Sequence, residues 1–383
     1  MLQPVIISYS DIGKPGGLPE VLKRLVADLS RYGNNESTYF LHDFKEYYRL
    51  DQSGFISEID ANEIDGVPIY VTIPWVSPLK MLRHLTRRRM NGEINLIWPW
   101  GMFCRQQYQR HWNEGKKPLF LKKIYILTLK RLCLFLSEGF MMHSSEEAEF
   151  SGIPLSKCAL VTMGRPPSKI LDDLEGDSGT SKIEEFSNDH FSFVGRGQYH
   201  EKGISKITTF AASPTGKKKK FRFFCSTCDP ETQKHIEAAD APNEIWDFKS
   251  SSLSLVPYLR SSQAYITVSD NPIQLRTPYE VLCLGTPVIT QAESMMEGMQ
   301  RMFARAGFPG AIQIVDPVSF EEGNFEPPEM RPAERMAMAQ VACALLHPKP
   351  FAEWLDNWLG SPRFPADFYS DASIEQDPHQ SHF

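Results

Sequence analysis

The run Phe193-Val194-Gly195-Arg196-Gly197-Gln198-Tyr199-His200-Glu201-Lys202-Gly203 brings together glycines, a guanidinium and, six residues further on, an ammonium. An apolar strand over Phe191–Val194 delivers the backbone to a loop in which Gly195 and Gly197 permit close approach. Gly203 then opens a helix whose first amides can face an anion. Arg196 can grip a phosphate oxygen with its forked donors, and Lys202 can add a compact charge that neutralises a leaving group as it develops. The ligand such a pattern suits is a diphosphate. The competing reading is a glycine-rich turn carrying a solvated Arg and Lys.

A second motif follows. In Thr277-Pro278-Tyr279-Glu280-Val281-Leu282-Cys283-Leu284-Gly285-Thr286-Pro287-Val288-Ile289-Thr290 a short helix with Glu280 runs into a Gly-Thr-Pro turn and an apolar strand. Gly285 suits a helix C-terminus that needs positive φ. In this order and near this spacing, "FVGR", "EKG" and "YEVLCLGTPVI" resemble the retaining nucleotide-sugar glycosyltransferases of family 4, which have the GT-B fold. The resemblance implies an α/β protein of two Rossmann-like, doubly wound domains facing a cleft, with a C-terminal helix crossing back to the first domain. It implies that Glu280 accepts hydrogen bonds from both ribose hydroxyls of a UDP- or GDP-linked sugar. Thr286 either donates to phosphate or satisfies the backbone. Gly16 and Gly17 resemble the N-terminal "GG" loop that contacts donor phosphate or acceptor, with an ordinary tight turn as the alternative; Ser10 and Asp11 share that loop.

The departures fall on the sugar side. The position eight residues before Glu280, an acid in the family, is Pro272, and Asp270 and Asn271 are the nearest substitutes within what also reads as a plain turn. Trp98-Pro99-Trp100-Gly101-Met102-Phe103 resembles a "P-H-G-M-L" segment in which the residue facing the sugar would be Trp100, beside Gly101. Ser145-Glu146-Glu147 lies one step off the spacing of a later "S-x-E-E". Two readings follow: an unusual donor sugar, or a protein that binds a nucleotide sugar but turns it over poorly. Retaining transfer relies on positioning and leaving-group stabilisation, and the departing phosphate can take the acceptor proton. Neither metal nor other cofactor is therefore expected; the ten histidines are dispersed, and no Asp-x-Asp element stands at a strand end to carry a divalent ion.

The elements that must position these residues are legible as alternating strands and helices, the pattern of a parallel sheet. Strands are expected at 5–8, 38–41, 69–73, 95–98 and 159–163, then at 191–194, 221–225, 244–246, 264–268 and 288–290. Leu18, Val21, Leu22, Leu25, Val26 and Leu29 recur at helical spacing after the first strand, with Pro19 in the first turn. The division expected is an acceptor-side domain over 1–175, a polar linker over 172–189, and a nucleotide-sugar domain over 190–345. A returning helix over 346–364 would carry Phe351, Trp354, Leu355, Trp358 and Leu359, and a mobile tail would span 365–383.

With 383 residues, 42% hydrophobic and 23% charged, the chain is long enough for two cores. The seven cysteines are odd in number and mostly within apolar runs, as at Cys133, Cys283 and Cys343, which reads as reduced core cysteine; Cys225-Ser226-Thr227-Cys228 lacks a second Cys/His pair nearby. The N-terminus lacks a signal-peptide pattern, so a cytoplasmic location is expected, and no stretch approaches the roughly 20 apolar residues that span a bilayer.

Between Leu79 and Phe135 stand thirteen Lys and Arg against two Glu, in a chain whose net charge is −6. Arg87, Arg88, Arg89, Arg105, Arg110, Lys116, Lys117, Lys122 and Lys123 are interleaved with aromatics, which suits an anionic membrane surface and a lipid-linked acceptor. Nucleic acid is the rival for such a composition, but no nucleic-acid motif accompanies it, and a solvated basic face is the plain alternative. The function expected is retaining transfer of a sugar from a nucleotide-sugar donor to a glycan or lipid-linked glycan. A catalytically weak sugar-nucleotide-binding protein, or a basic-face membrane or nucleic-acid adaptor, is the alternative.

Overall fold

The structure is a computed structural model that describes residues 5–9, 17–32, 38–50, 56–66, 68–73, 78–104, 120–160, 190–238, 242–248, 252–269, 276–291 and 296–347. The expected linker over 172–189, the returning helix beyond His347 and the tail over 365–383 lie outside the described residues. The chain forms two compact units, one holding the described residues up to Leu160 and the other those from His190 to His347.

The first unit contains, in order, β1 (Val5–Tyr9), α1 (Gly17–Tyr32), β2 (Thr38–His42), β3 (Glu46–Leu50), β4 (Ile56–Ile59), β5 (Ile69–Thr72), α2 (Pro78–Met90), β6 (Ile94–Ile97), α3 (Phe120–Leu136), β7 (Gly139–Met142), α4 (Ser145–Ser151) and β8 (Cys158–Leu160). Its sheet has the order β4-β3-β2-β1-β5-β6-β7-β8. The apolar run of β1 lies between parallel neighbours β2 and β5, and Val5, Ile6 and Ile7 are fully buried, as a central parallel strand requires. Leu22, Leu25, Val26 and Leu29 of α1 are buried along one helical face.

The antiparallel hairpin of β3 and β4 was not expected from the sequence. β2 turns into β3 through Asp43 and Phe44, both at positive φ (43° and 62°), with the Lys45 N–H bonded to the His42 carbonyl at 2.9 Å. That is a tight three-residue hairpin loop, Asp43 to Lys45, with positive-φ positions of the kind sequences usually mark with Asn or Gly; here Phe44 is held by edge-on contact with His84, centroids 4.7 Å apart.

The second unit contains β9 (His190–Gly197), α5 (Ile204–Ala212), β10 (Phe221–Cys228), α6 (Pro230–Glu237), β11 (Glu244–Asp247), α7 (Ser252–Ser261), β12 (Ser262–Thr267), α8 (Arg276–Cys283), β13 (Val288–Gln291), α9 (Glu297–Arg305), β14 (Ile312–Val315), α10 (Pro317–Glu322) and α11 (Pro332–Leu345). The sheet is parallel with the order β11-β10-β9-β12-β13-β14. Alternation along β9 and β10 puts Phe191 and Phe193 beside Phe221 and Phe223 in register. Their ring centroids lie 5.4 and 6.0 Å apart, and Phe210 of α5 joins them. Phe223 also stacks flat on Trp246 at 4.1 Å. These rings form the core against which the strand ends are fixed.

Candidate functional site

In the second sheet the direction of strand addition reverses between β9 and β12, the place where a doubly wound sheet leaves a crevice at its carboxyl edge. Gly195, Arg196 and Gly197 occupy the end of β9. They are part of the strand rather than a loop after it, because β10 continues to Cys228 and pairs it with Gly197 across a bulge. A Cβ on Gly197 would stand 2.5 Å from the Cys228 thiol sulfur and 3.0 Å from the Thr227 carbonyl, so the pairing demands glycine. The Arg196 side chain is exposed and has no partner among the described residues. Lys202 turns inward, 6% exposed, and already interacts with the protein. Gly203 begins α5 at φ 70°, where a Cβ would lie 2.3 Å from the Val268 carbonyl oxygen.

Two contacts lock this end of β9 to β12. The Ser269 hydroxyl donates to the Glu201 carbonyl at 2.8 Å, and the Tyr265 hydroxyl donates to the Val194 carbonyl at 3.3 Å. Burial, and behind it the negative charge of Glu280, pushes the Tyr265 phenol up. Tyr265 thus bonds the backbone beside Gly195 and feels the charge of Glu280 on α8. Asp229 braces the other side: its N–H donates to the Gly197 carbonyl at 2.7 Å and its carboxylate accepts from the Tyr199 N–H at 3.0 Å. Sequence reasoning missed Tyr265, Ser269 and Asp229; the Asp229-Pro230 pair at the start of α6 was a visible capping signal, whereas Tyr265 looks like any core aromatic.

Of the two roles expected for Thr286, the structure shows the one that satisfies the backbone. It is fully buried, its hydroxyl donates to the Leu259 carbonyl at 2.6 Å, and it accepts from Arg335 Nη2 at 3.2 Å. Its single proton is spent. Arg335, itself fully buried, also donates to the carbonyls of Gly285 (2.6 Å) and Arg260 (2.8 Å), pinning the turn that follows Glu280. Gly285 has φ 80°, the left-handed conformation expected of it.

In the first unit Gly17 is the first residue of α1; Gly16, Asp270 and Asn271 lie outside the described residues. Trp100 and Gly101 follow β6 with φ 49° and 69°. The Gly101 N–H is not open to a ligand, because it donates to Glu147 Oε1 at 2.8 Å, while Oε2 of the same buried carboxylate accepts from the His143 N–H at 2.6 Å. Arg88 departs from the basic face: it is 2% exposed, its guanidinium lies 3.9 Å from the Tyr70 ring centroid, and Nη2 donates to the Thr72 hydroxyl at 2.8 Å. Among the described residues no cluster of His, Cys, Asp and Glu could hold a metal ion, and no helix is long and apolar enough to cross a membrane.

No protein-family model matches the chain, and no curated protein matches its sequence. Solved structures do. WaaG, a glycosyltransferase involved in lipopolysaccharide biosynthesis, superposes with a TM-score of 0.56 at 11% identity, over 93% of this chain and 100% of that one. An α,α-trehalose-phosphate synthase (UDP-forming) from Burkholderia vietnamiensis gives 0.55 at 10% identity, over 94% and 96%. The lipopolysaccharide outer core galactosyltransferase WaaB in its apo form gives 0.54 at 14% identity, over 92% and 99%. At such identities the likeness is one of fold, and the fold is GT-B: two Rossmann-like parallel-sheet domains in one chain.

Proposed function

We propose that the protein is a retaining glycosyltransferase of the family-4 type, moving a sugar from a UDP- or GDP-linked donor to a glycan or lipid-linked glycan without a metal. The observation that carries this reading is the convergence at the switch point of the second sheet. The strand end that carries the exposed Arg196 is tied to β12 by Tyr265 and Ser269, and Tyr265 also feels the charge of the helix glutamate Glu280. Arg196 would take a diphosphate oxygen, Lys202 would offset the leaving-group charge and Glu280 would accept from the ribose hydroxyls. The altered positions at Trp100 and Pro272 are consistent with an unusual donor sugar. Thermal-shift screening against UDP-, GDP-, dTDP- and ADP-sugars, with and without EDTA, tests the reading, since a ligand of the folded state raises the midpoint. A shift by a UDP- or GDP-sugar that survives EDTA is expected, followed by release of free nucleotide on adding acceptor. No shift with any donor would sink it.

The acceptor side is read as facing an anionic membrane. The exposed face of α3 carries Ile124, Tyr125, Leu127, Leu132 and Phe135, the last 69% exposed; Met90 on α2 is 81% exposed. Arg83 and Arg87 on α2 and Arg131 on α3 are also exposed, and Arg89 lies 5.4 Å from the Phe135 ring centroid. Apolar side chains rimmed by arginine suit lipid headgroups, each cation contributing about 1 kcal/mol near an anionic leaflet. Reversing Arg83, Arg87 and Arg131 to glutamate should abolish flotation with phosphatidylglycerol vesicles and leave donor binding intact; undiminished flotation would remove the membrane from the proposal.

A further inference from the structure

Cys225-Ser226-Thr227-Cys228 closes β10 beside the glycines of β9, and glycosyl transfer makes no use of its thiols. In a regular strand, residues three apart point to opposite faces and lie roughly 10 Å apart. Here both thiols share one face. Cys225 is fully buried in the aromatic core of the second unit, and the half-buried Cys228 packs against that same core. The cause is the bulge: from Cys225 to Cys228 β10 advances three residues while β9 advances two, from Gly195 to Gly197. The extra residue turns Cys228 toward Cys225, and the two thiols come within hydrogen-bonding reach of each other.

The pair is also asymmetric. Cys228 is partly exposed at the start of α6, one residue before the N-cap Asp229, whereas Cys225 has no exposure. An oxidant therefore meets Cys228 first, and Cys225 stands behind it to resolve the product. Burial pushes both thiols up, so little thiolate is present at neutral pH. Such a pair answers sustained oxidant and does not act as a fast catalyst.

We propose that Cys225 and Cys228 are a redox modification site, a thiol pair that a peroxide converts to a reversible disulfide, and that this bond reshapes the strand end carrying Arg196. The Cys228 thiolate attacks one oxygen of hydrogen peroxide; an S–O bond forms, the O–O bond breaks, and the departing hydroxide takes the proton that Cys228 gave up and leaves as water. The Cys225 sulfur then attacks the Cys228 sulfur. The S–S bond forms, the S–O bond breaks, and hydroxide leaves with the Cys225 proton as a second water. The two sulfurs lose two electrons, which reduce the peroxide, and a dithiol returns them. The Cys228 sulfur lies 2.5 Å from where a Cβ of Gly197 would stand, and the Gly197 carbonyl accepts from the Asp229 N–H at 2.7 Å and the Thr232 hydroxyl at 3.0 Å. Drawing that sulfur into a bond of about 2.05 Å with Cys225 therefore disturbs the contacts of Gly197, the neighbour of Arg196. Any effect on nucleotide binding rests on the glycosyl-transfer reading; the disulfide does not.

The full chain is treated with dithiothreitol or with hydrogen peroxide, then unfolded, alkylated and mapped by mass spectrometry. Peroxide should remove the mass of two hydrogen atoms and protect Cys225 and Cys228, alone among the seven cysteines, from alkylation; dithiothreitol should restore both. Hydrogen exchange over residues 194–198 should differ between the two forms by about fivefold at one amide or more, the equivalent of one hydrogen bond. Cys228→Ser should form no disulfide and show the same exchange after either treatment. If that variant does not fold, Cys225→Ala, in which oxidation should stop at Cys228 sulfenic acid, decides in its place. Titration of both wild-type forms with UDP and GDP separates the two readings: unequal binding supports the coupling to Arg196, and binding by neither form overturns the donor reading while the thiol pair stands on mass and exchange. Oxidation at other cysteines, sulfinic acid at Cys228 without a disulfide, or a disulfide that leaves exchange over 194–198 unchanged overturns the proposal.

Discussion

Arg196 and Thr286 stand in comparable motifs, yet their surroundings assign them opposite duties. Arg196 is exposed and unpartnered among the described residues, so the fold loses little without it. Arg196→Ala should leave the melting temperature unchanged and cost on the order of 2–4 kcal/mol of transition-state stabilisation in kcat/KM, the value of one charge-assisted contact to a developing phosphate. Normal turnover in this variant would show that the diphosphate lies elsewhere. Thr286 is the reverse case, buried with its hydroxyl bonded to Leu259 and Arg335. Thr286→Val keeps the shape and strands both partners, so denaturant unfolding should show a loss of about 1–3 kcal/mol, with nucleotide affinity unchanged in the folded fraction.

The start of α5 is the element-scale counterpart. Gly203 combines φ 70° with the carbonyl of Val268 where a Cβ would go, so helix and strand approach more closely than any side chain allows. Gly203→Ala should destabilise the second unit by more than about 1 kcal/mol, since both the backbone conformation and the contact oppose it. A neutral result in chemical denaturation would mean that β12 yields easily at Val268. Because the same junction ties the end of β9 to β12 through Ser269 and Tyr265, the variant should also lose donor affinity.

Acid sensitivity belongs to the whole molecule, because it sums over groups that folding holds neutral. His84 is pushed down to about 3, first by burial and then by the charges of Arg88 and Arg87, and burial also lowers His143. With folded values below the unfolded one near 6.5, the unfolded chain binds more protons between about pH 6.5 and pH 3, so stability falls as pH is lowered through that window. His84→Phe should flatten the decline in melting temperature over this range. An unchanged slope would place the acid-sensitive groups elsewhere.

Much of this architecture was legible in residue order alone. Alternating Phe191, Phe193, Phe221 and Phe223 announced buried strands, because period and residue type are local properties, and the same locality let Gly195-Arg196 with Glu280 nominate an anion and hydroxyl site. The hairpin at Asp43-Phe44 was not legible, since its positive-φ turn contains no glycine and depends on Phe44 packing against a distant His84. The short strands β7 and β14 were also missed, since four residues are too few to establish a period. What only the tertiary structure decided is which side chains have partners. Arg88 reads as one of three surface arginines but stacks inside on Tyr70, Thr286 spends its proton on a carbonyl, and His143 joins Trp98 and Trp100 from across a strand. Burial and hydrogen bonding are set by neighbours far away in sequence, so residue type and spacing could nominate chemistry but only the folded chain could say which groups were left to perform it.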